Sequence, residues 1–233
     1  MLVTSMNKKE ITKEILNDLG IINNSTTIER LMFEYYDERK RAKVKKDEAY
    51  TKFYEIKTKS KNKWIIQISK DHLLEKYLNP EDCIRMLYTY YYNELSIRLF
   101  TNYASGGILV VNGHFFQRYR ERMNLNIPNS MDVVKKYFEN NYTASYKYMP
   151  EKDGKCQFLA LVKDGFVKGE YVFEDRWFVY KTFISKATSN CDANTFEIDS
   201  INTLKDQLMN NDKGMNNDNF IELMSIYKTL KPL

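Results

Sequence analysis

Residues 157–173, Gln-Phe-Leu-Ala-Leu-Val-Lys-Asp-Gly-Phe-Val-Lys-Gly-Glu-Tyr-Val-Phe, decide the fold. Two runs rich in aliphatic and aromatic side chains meet at Asp164-Gly165, a dipeptide suited to the positive-φ turn that folds one strand back on the next. The period of two extends in both directions, through Tyr142–Tyr148 before it and Trp177–Ser185 after it. Residues 142–185 therefore read as four consecutive strands, and their short links imply antiparallel pairing.

Immediately upstream the period becomes helical. Pro128-Asn129-Ser130 opens a helix that turns Val133, Val134, Tyr137 and Phe138 inward, and Ile108–Val111 is a short strand feeding another helix capped by Asn112. Ser105-Gly106-Gly107 is the clearest punctuation in the chain. It suggests portions 1–105 and 106–233, or one continuous domain carrying a weak boundary.

The first portion reads as mainly helical. Ile11, Ile15, Leu16 and Leu19 recur at helical spacing up to Gly20, and a second helix, capped by Thr26 or Thr27, carries Ile28, Leu31, Met32 and Tyr35 into the charged stretch 37–46. A β-hairpin follows, with Tyr50, Phe53, Tyr54 and Ile56 on one arm and Trp64–Ile68 on the other. Asn79-Pro80-Glu81-Asp82 is a helix start, and Ile84, Leu87, Tyr88, Tyr91, Leu95 and Leu99 would form the apolar face of a helix over 81–100. Its tyrosines suit core and rim packing, or a surface for a protein partner or a second copy. Helices around 201–209 and 220–230 close the chain. The expected class is α+β: a helical N-terminal portion with a β-hairpin, then helices and a four-stranded antiparallel sheet, closed by two C-terminal helices.

Composition narrows the function classes. With 43% hydrophobic and 14% aromatic residues, the 233-residue chain can bury a core. A net charge of +5 is only mildly basic, so charge alone selects no partner. Cys83, Cys156 and Cys191 form no CxxC pair, and His72 and His114 are the only histidines, so neither a metal site nor another cofactor is expected. Three reduced thiols, no apolar leader and no run long enough to span a bilayer point to a cytoplasmic protein away from membranes.

The candidate site lies in Asn-Gly-His-Phe-Phe-Gln-Arg-Tyr-Arg-Glu-Arg-Met, residues 112–123. His114, Arg118 and Arg122 recur at i, i+4 and i+8, an arc of about 80° on a helix, beside an apolar stripe of Phe115, Phe116, Tyr119 and Met123. At the second helical position the dipole disfavours a protonated ring, so His114 suits a general base for a 2′-hydroxyl. Arg118 and Arg122, with Arg120 alongside, suit a phosphodiester. The other reading makes His114 a backbone-bonded histidine and Arg118, Arg120 and Arg122 a solvated flank. Arg122 counts against it, since where it borders the apolar stripe at Phe115 it needs an anionic partner, in the protein or in a ligand. In the last strand, Tyr180, Lys181, Thr182 and Ser185 could supply a general acid or phosphate contacts if they face the helix. Equally, Lys181 could extend to the sheet edge and Thr182 simply favour a strand.

Two helices, the first bearing His-x3-Arg-x3-Arg, followed by four strands ending Val-Tyr-Lys-Thr-Phe-Ile-Ser, resemble the barnase–EndoU–colicin–RelE-like ribonucleases. That group includes many toxin-like domains of bacteria and phages, and the resemblance covers about residues 106–190. It implies a metal-independent endoribonuclease acting on RNA, with catalytic residues at His114, Arg118, Arg122 and Thr182 or Ser185. The alternative is a non-catalytic nucleic-acid-binding or regulatory module that uses the same arginines for phosphate contact.

Overall fold

The computed structural model describes residues 1–45, 48–70, 84–92, 96–102, 107–141, 144–149 and 152–186. The expected helices around 201–209 and 220–230, and the Asn79–Asp82 helix start, lie outside these. The described residues form two compact units, one drawn from residues 1–91 and 100–102, the other from 92–99 and from 103 onward.

In the first unit, α1 (Lys8–Asn23) opens on a capping box in which Asn7 and Glu10 satisfy each other's backbone N–H groups. It buries Ile11, Ile15, Leu19 and Ile22, and it runs through Gly20 to a cap at Asn24 rather than stopping at the glycine. The next helix, α2 (Thr27–Arg41), buries Ile28, Leu31 and Tyr35, and the Tyr35 hydroxyl donates to the Tyr50 carbonyl at 2.9 Å. The expected hairpin is present as β1 (Tyr50–Lys57) and β2 (Lys63–Lys70), with Tyr54 opposite Ile66. A fully buried carboxyl group fastens helix to hairpin: Asp18 Oδ2 accepts from Thr58 Oγ1 at 2.9 Å, Asn62 Nδ2 at 2.7 Å and Trp64 Nε1 at 2.9 Å.

The helix expected over 81–100 is not formed. In its place stand two strands, β3 (Ile84–Tyr92) and β4 (Ile97–Asn102). Tyr88 and Thr89 are buried on opposite faces, as an interior strand requires, and Thr89 and Thr101 donate their hydroxyls to the Lys63 and Leu87 carbonyls. A stretch of Tyr, Thr, Leu and Ile fits a pleated surface, and neighbours on both edges satisfy its backbone groups; this outweighs the apolar spacing that suggested a helix.

The second unit contains β5 (Ile108–Asn112), α3 (Gly113–Arg122), α4 (Ser130–Asn140), β6 (Ser145–Tyr148), β7 (Lys155–Val162), β8 (Gly165–Val172) and β9 (Trp177–Ser185). The last four are the strands expected from residues 142–185. The β7–β8 turn falls one residue earlier than expected, at Lys163-Asp164: Gly165 already pairs with Val162, neither Asp164 nor Gly165 has a positive φ, and the glycine instead admits the close approach of β9, where a Cβ would lie 2.1 Å from the Ile184 carbonyl. They do not form a sheet of their own. β5 lies parallel to β9, with Ile108 opposite Trp177 and Val111 opposite Tyr180, and hydrogen bonding orders the strands β1-β2-β3-β4-β5-β9-β8-β7-β6. The expected four-stranded antiparallel sheet is thus corrected to a mixed sheet of nine strands. An edge that short links alone leave open is filled when β5 pairs across the αα crossover, a contact between residues about 70 apart that no local pattern announces.

α3 and α4 cover one face of these strands. Phe115, Phe116 and Tyr119 of α3 meet Tyr137 and Phe138 of α4 and Tyr180 and Phe183 of β9, and Tyr119 sits 4.9 Å edge-on from Phe183 and 5.0 Å from Tyr137. At the β7–β8 turn, Asp164 Oδ2 accepts from Tyr119 Oη at 2.6 Å, Asn141 Nδ2 at 2.9 Å and Asn140 Nδ2 at 3.1 Å, tying the hairpin tip to both helices. No helix among the described residues is long and apolar enough to cross a membrane.

Candidate functional site

α3 forms as expected, with Asn112 at its N-cap and His114 at its second position. Its buried side chains fix its rotation and leave two polar flanks, one carrying Arg118 and Arg122 and the other Gly113, Gln117 and Arg120. His114, in the first turn, stands where the flanks meet and is exposed.

The arginines of the first flank are used internally. Arg118 Nη1 lies 3.1 Å from Glu121 Oε2, and both side chains are about half exposed. Glu121 also accepts from Gln117 Nε2 at 2.9 Å, and this bond first, then the charges of Arg118 and Arg120, lowers its pKa. Arg122 donates Nη1 to the Phe183 carbonyl of β9. Pairing of β9 with β5 ends at Tyr180, where the chain leaves β5 for α3, and the guanidinium serves the strand beyond that point. The partner expected for Arg122 is therefore a backbone carbonyl and not an anion.

The second flank faces a cavity of about 360 Å³ between the entrance to β4, α3 and the first turn of α4. Ser96, His114, Gln117, Arg120 and Ser130 supply its polar lining, with Ile97, Phe116 and Val133 beneath. Gly113 makes the enclosure possible. A Cβ there would lie 2.4 Å from Ser96 Cβ and 3.0 Å from the Ile97 carbonyl, so only glycine lets α3 begin against the strand. Among the described residues, Arg120, His114 and Ser130 have no side-chain hydrogen bond or ion pair with protein. Arg120 is half-buried and lines the cavity.

The candidates in β9 divide between the two faces of the sheet. The β8–β9 register shifts between Lys168 and Gly169: Lys168 lies opposite Thr182 and Gly169 opposite Tyr180, leaving Lys181 as an extra residue. Gly169 admits this geometry, since a Cβ there would come within 2.3 Å of the Phe158 ring and 2.5 Å of the Val179 carbonyl. As a result Tyr180 and Phe183 both face α3. Lys168, next to Gly169 in an alternating strand, points away, and its partner Thr182 points away with it. Lys181 pairs with Glu170 at 2.6 Å on that outer face. Tyr180 is buried with its hydroxyl 2.6 Å from that of Tyr146, and burial first, then the neighbouring Tyr146, holds its pKa well above the usual phenol value. Ser185 is buried opposite Gly165.

Of the sequence candidates, the structure brings together His114 and Arg120 and separates them from Thr182 and Lys181. It assigns Arg118 and Arg122 to intramolecular contacts. Ser96, Gln117 and Ser130 were not foreseen as lining residues; a glycine at the first position of a helix was the one signal that something packs closely there. The donors offered to a ligand are an imidazole, a guanidinium, an amide and the Ser130 hydroxyl, which suit an oxyanion. Among the described residues no cluster of three or more His, Cys, Asp or Glu side chains could hold a metal ion. Comparison with protein-family models, curated proteins and solved structures found no match.

Proposed function

We propose that the second unit binds single-stranded RNA through its phosphates, using the cavity between α3, α4 and the start of β4. The observation that carries this reading is Arg120: of the three arginines on α3 it alone has no ion pair or hydrogen bond to protein among the described residues, and it shares its cavity with His114. A guanidinium that feels the Glu121 charge without an ion pair or hydrogen bond to it, beside hydroxyl and amide donors, is suited to a phosphate oxygen. Arg120→Ala should weaken binding of a short single-stranded RNA about tenfold or more, and should reduce the slope of log affinity against log salt by about 0.7, the share of one phosphate contact. Fluorescence anisotropy at several salt concentrations measures both. Equal affinity for parent and variant, or no binding of RNA at low salt, overturns the reading.

A second reading, metal-independent endoribonuclease activity, is favoured by one observation: the unpartnered imidazole of His114 lies in the same cavity as Arg120. In that reaction the imidazole takes the 2′-hydroxyl proton, the 2′-oxygen attacks phosphorus, and the 5′-oxygen departs with a proton from solvent. Thr182 takes no part in it. Products ending in a 2′,3′-cyclic phosphate, lost in His114→Ala while RNA affinity persists, would establish it. Binding without such products leaves the non-catalytic reading alone.

A further inference from the structure

We infer that the cavity takes a phosphate at a nucleotide terminus, a monoester with three free oxygens, rather than a diester within a strand; this rests on the phosphate-binding reading above and stands against the endoribonuclease one. The first argument is shape. Ser96 stands on one side, the first two turns of α3 on another and Ser130 of α4 on a third, bounding a half-open recess about 360 Å³ in volume. An internal phosphodiester needs its chain to enter and leave, and a recess walled by three elements receives an end more readily than a through-strand. The second argument is donor number. Arg120 offers a planar fork, His114 a ring N–H, Ser130 a hydroxyl, and Gln117 the N–H that it does not give to Glu121. An internal diester presents two free oxygens to such a set, and a terminal monoester presents three with greater negative charge. The third argument is the floor: Ile97, Phe116 and Val133 give apolar surface beneath the donors, against which a sugar or base edge can lie. The shared chemistry is a nucleotide phosphomonoester, whether it ends an RNA chain or belongs to a free mononucleotide.

The test uses the full chain and one 12-nucleotide RNA sequence prepared in three forms: 5′-phosphorylated, 3′-phosphorylated and with hydroxyls at both ends. Each carries its fluorophore away from the end under test, and adenosine monophosphate serves as competitor. The expected result is that one phosphorylated form binds at least tenfold more tightly than the hydroxyl form. Arg120→Ala should remove that difference, and Arg120→Lys should restore only part of it, because the ammonium lacks the fork. Competition by the mononucleotide at concentrations where adenosine does not compete supports a pocket for the phosphomonoester itself. If the mononucleotide binds and none of the RNAs does, the phosphomonoester assignment stands and the RNA reading falls. If all three RNAs bind equally and all weaken in Arg120→Ala, the terminal-phosphate assignment is overturned while the RNA reading stands. If neither RNA nor mononucleotide binds, both fall. Unchanged thermal unfolding of Arg120→Ala, whose side chain makes no described protein bond, separates loss of binding from loss of fold.

Discussion

Each unit locks its helices to a hairpin with one carboxyl group, but the two locks run in opposite directions. In the first, Asp18 sits on α1 and accepts from the hairpin, through Thr58, Asn62 and Trp64; in the second, Asp164 sits on the β7–β8 turn and accepts from the helices, through Tyr119, Asn140 and Asn141. Asp18 is fully buried, whereas Asp164 is half-exposed and its backbone N–H also donates to Asn141 at 2.9 Å. A carboxyl oxygen with three donors resists sliding whichever element carries it, so the direction is free and burial sets the cost of losing it.

The largest expected effect is therefore at Asp18. Asp18→Ala strands the indole N–H of Trp64 in a buried setting and leaves the Asn62 amide only its bond to Glu14, and should destabilise the first unit by about 3 kcal/mol. Trp64 and Trp177 are the only tryptophans and fall in different units, so each reports on its own unit. Denaturant unfolding followed by Trp64 emission in a Trp177→Phe background should show the loss, and Asp18→Asn, which keeps the volume and one acceptor, should lie between parent and alanine variant. A loss under about 1 kcal/mol would mean that the apolar face of α1 holds the helix without the lock. Asp164→Ala comes next, at about 2–3 kcal/mol, because water can reach part of what it strands. Trp177 emission should report it, and equal losses at the two positions would break the argument from burial.

The two locks also differ in how legible they were. Asp164 could be found because Asp-Gly between two alternating runs marks a hairpin, although the turn itself falls at Lys163-Asp164 and uses no positive φ. Asp18 could not, since its partners lie about 40 residues away and nothing near it marks a buried acid. The same division runs through the rest of the molecule. α3, α4 and the strands from 142 to 185 follow from periodicity and caps, whereas residues 84–102 carry helical spacing and strand-forming side chains at once, and long-range pairing decides in favour of strand. At the candidate site the stripe of His114, Arg118 and Arg122 was a correct reading of helix geometry, but spacing shows which side chains share a face and not which flank a neighbour will enclose. Packing of α4 and Ser96 gives the cavity to Arg120. The extra residue at Lys181 shifts the alternation of β9, so Phe183 shares a face with Tyr180 although simple alternation would put them on opposite faces.

The aromatic interior of the second unit carries a smaller effect. Tyr180→Phe leaves the Tyr146 hydroxyl without its 2.6 Å partner in a buried setting and should cost about 1–2 kcal/mol. The folded state favours the neutral phenols of Tyr119, Tyr137, Tyr148 and Tyr180, burial being the first cause for each, so their pKa values lie above the ordinary one. The stability tied to this preference is complete below the unfolded value of about 10 and is lost as pH rises above it toward the folded values. Alkaline titration of stability, followed by Trp177 emission, should fall from about pH 10 upward, and Tyr180→Phe should fall less steeply with one phenol fewer to ionise. Tyr54 and Tyr88 of the first unit are raised in the same sense, so a decline seen at Trp177 but not at Trp64 would show that the aromatic core of the second unit dominates.

The smallest effect belongs to the outer face of β9, and it is the sharpest test of where the site lies. Lys181 holds Glu170 at 2.6 Å with its own side chain about half exposed, an ion pair of the kind that contributes under about 1 kcal/mol, and Thr182 stands opposite Lys168 on the same face. Lys181→Ala and Thr182→Ala should each change stability by no more than about 0.5 kcal/mol. Because the sheet separates both residues from α3, neither change should alter RNA affinity beyond the loss of one surface charge in the lysine variant. Thr182→Ala is the cleaner of the two, since it removes a hydroxyl and no charge. If it lowered RNA affinity or cleavage as far as Arg120→Ala does, the ligand would have to contact the outer face, and the assignment of the site to the cavity beside α3 would fail. With Thr182→Ala silent and Arg120→Ala impaired, the face of the sheet that α3 covers is the face on which RNA is bound.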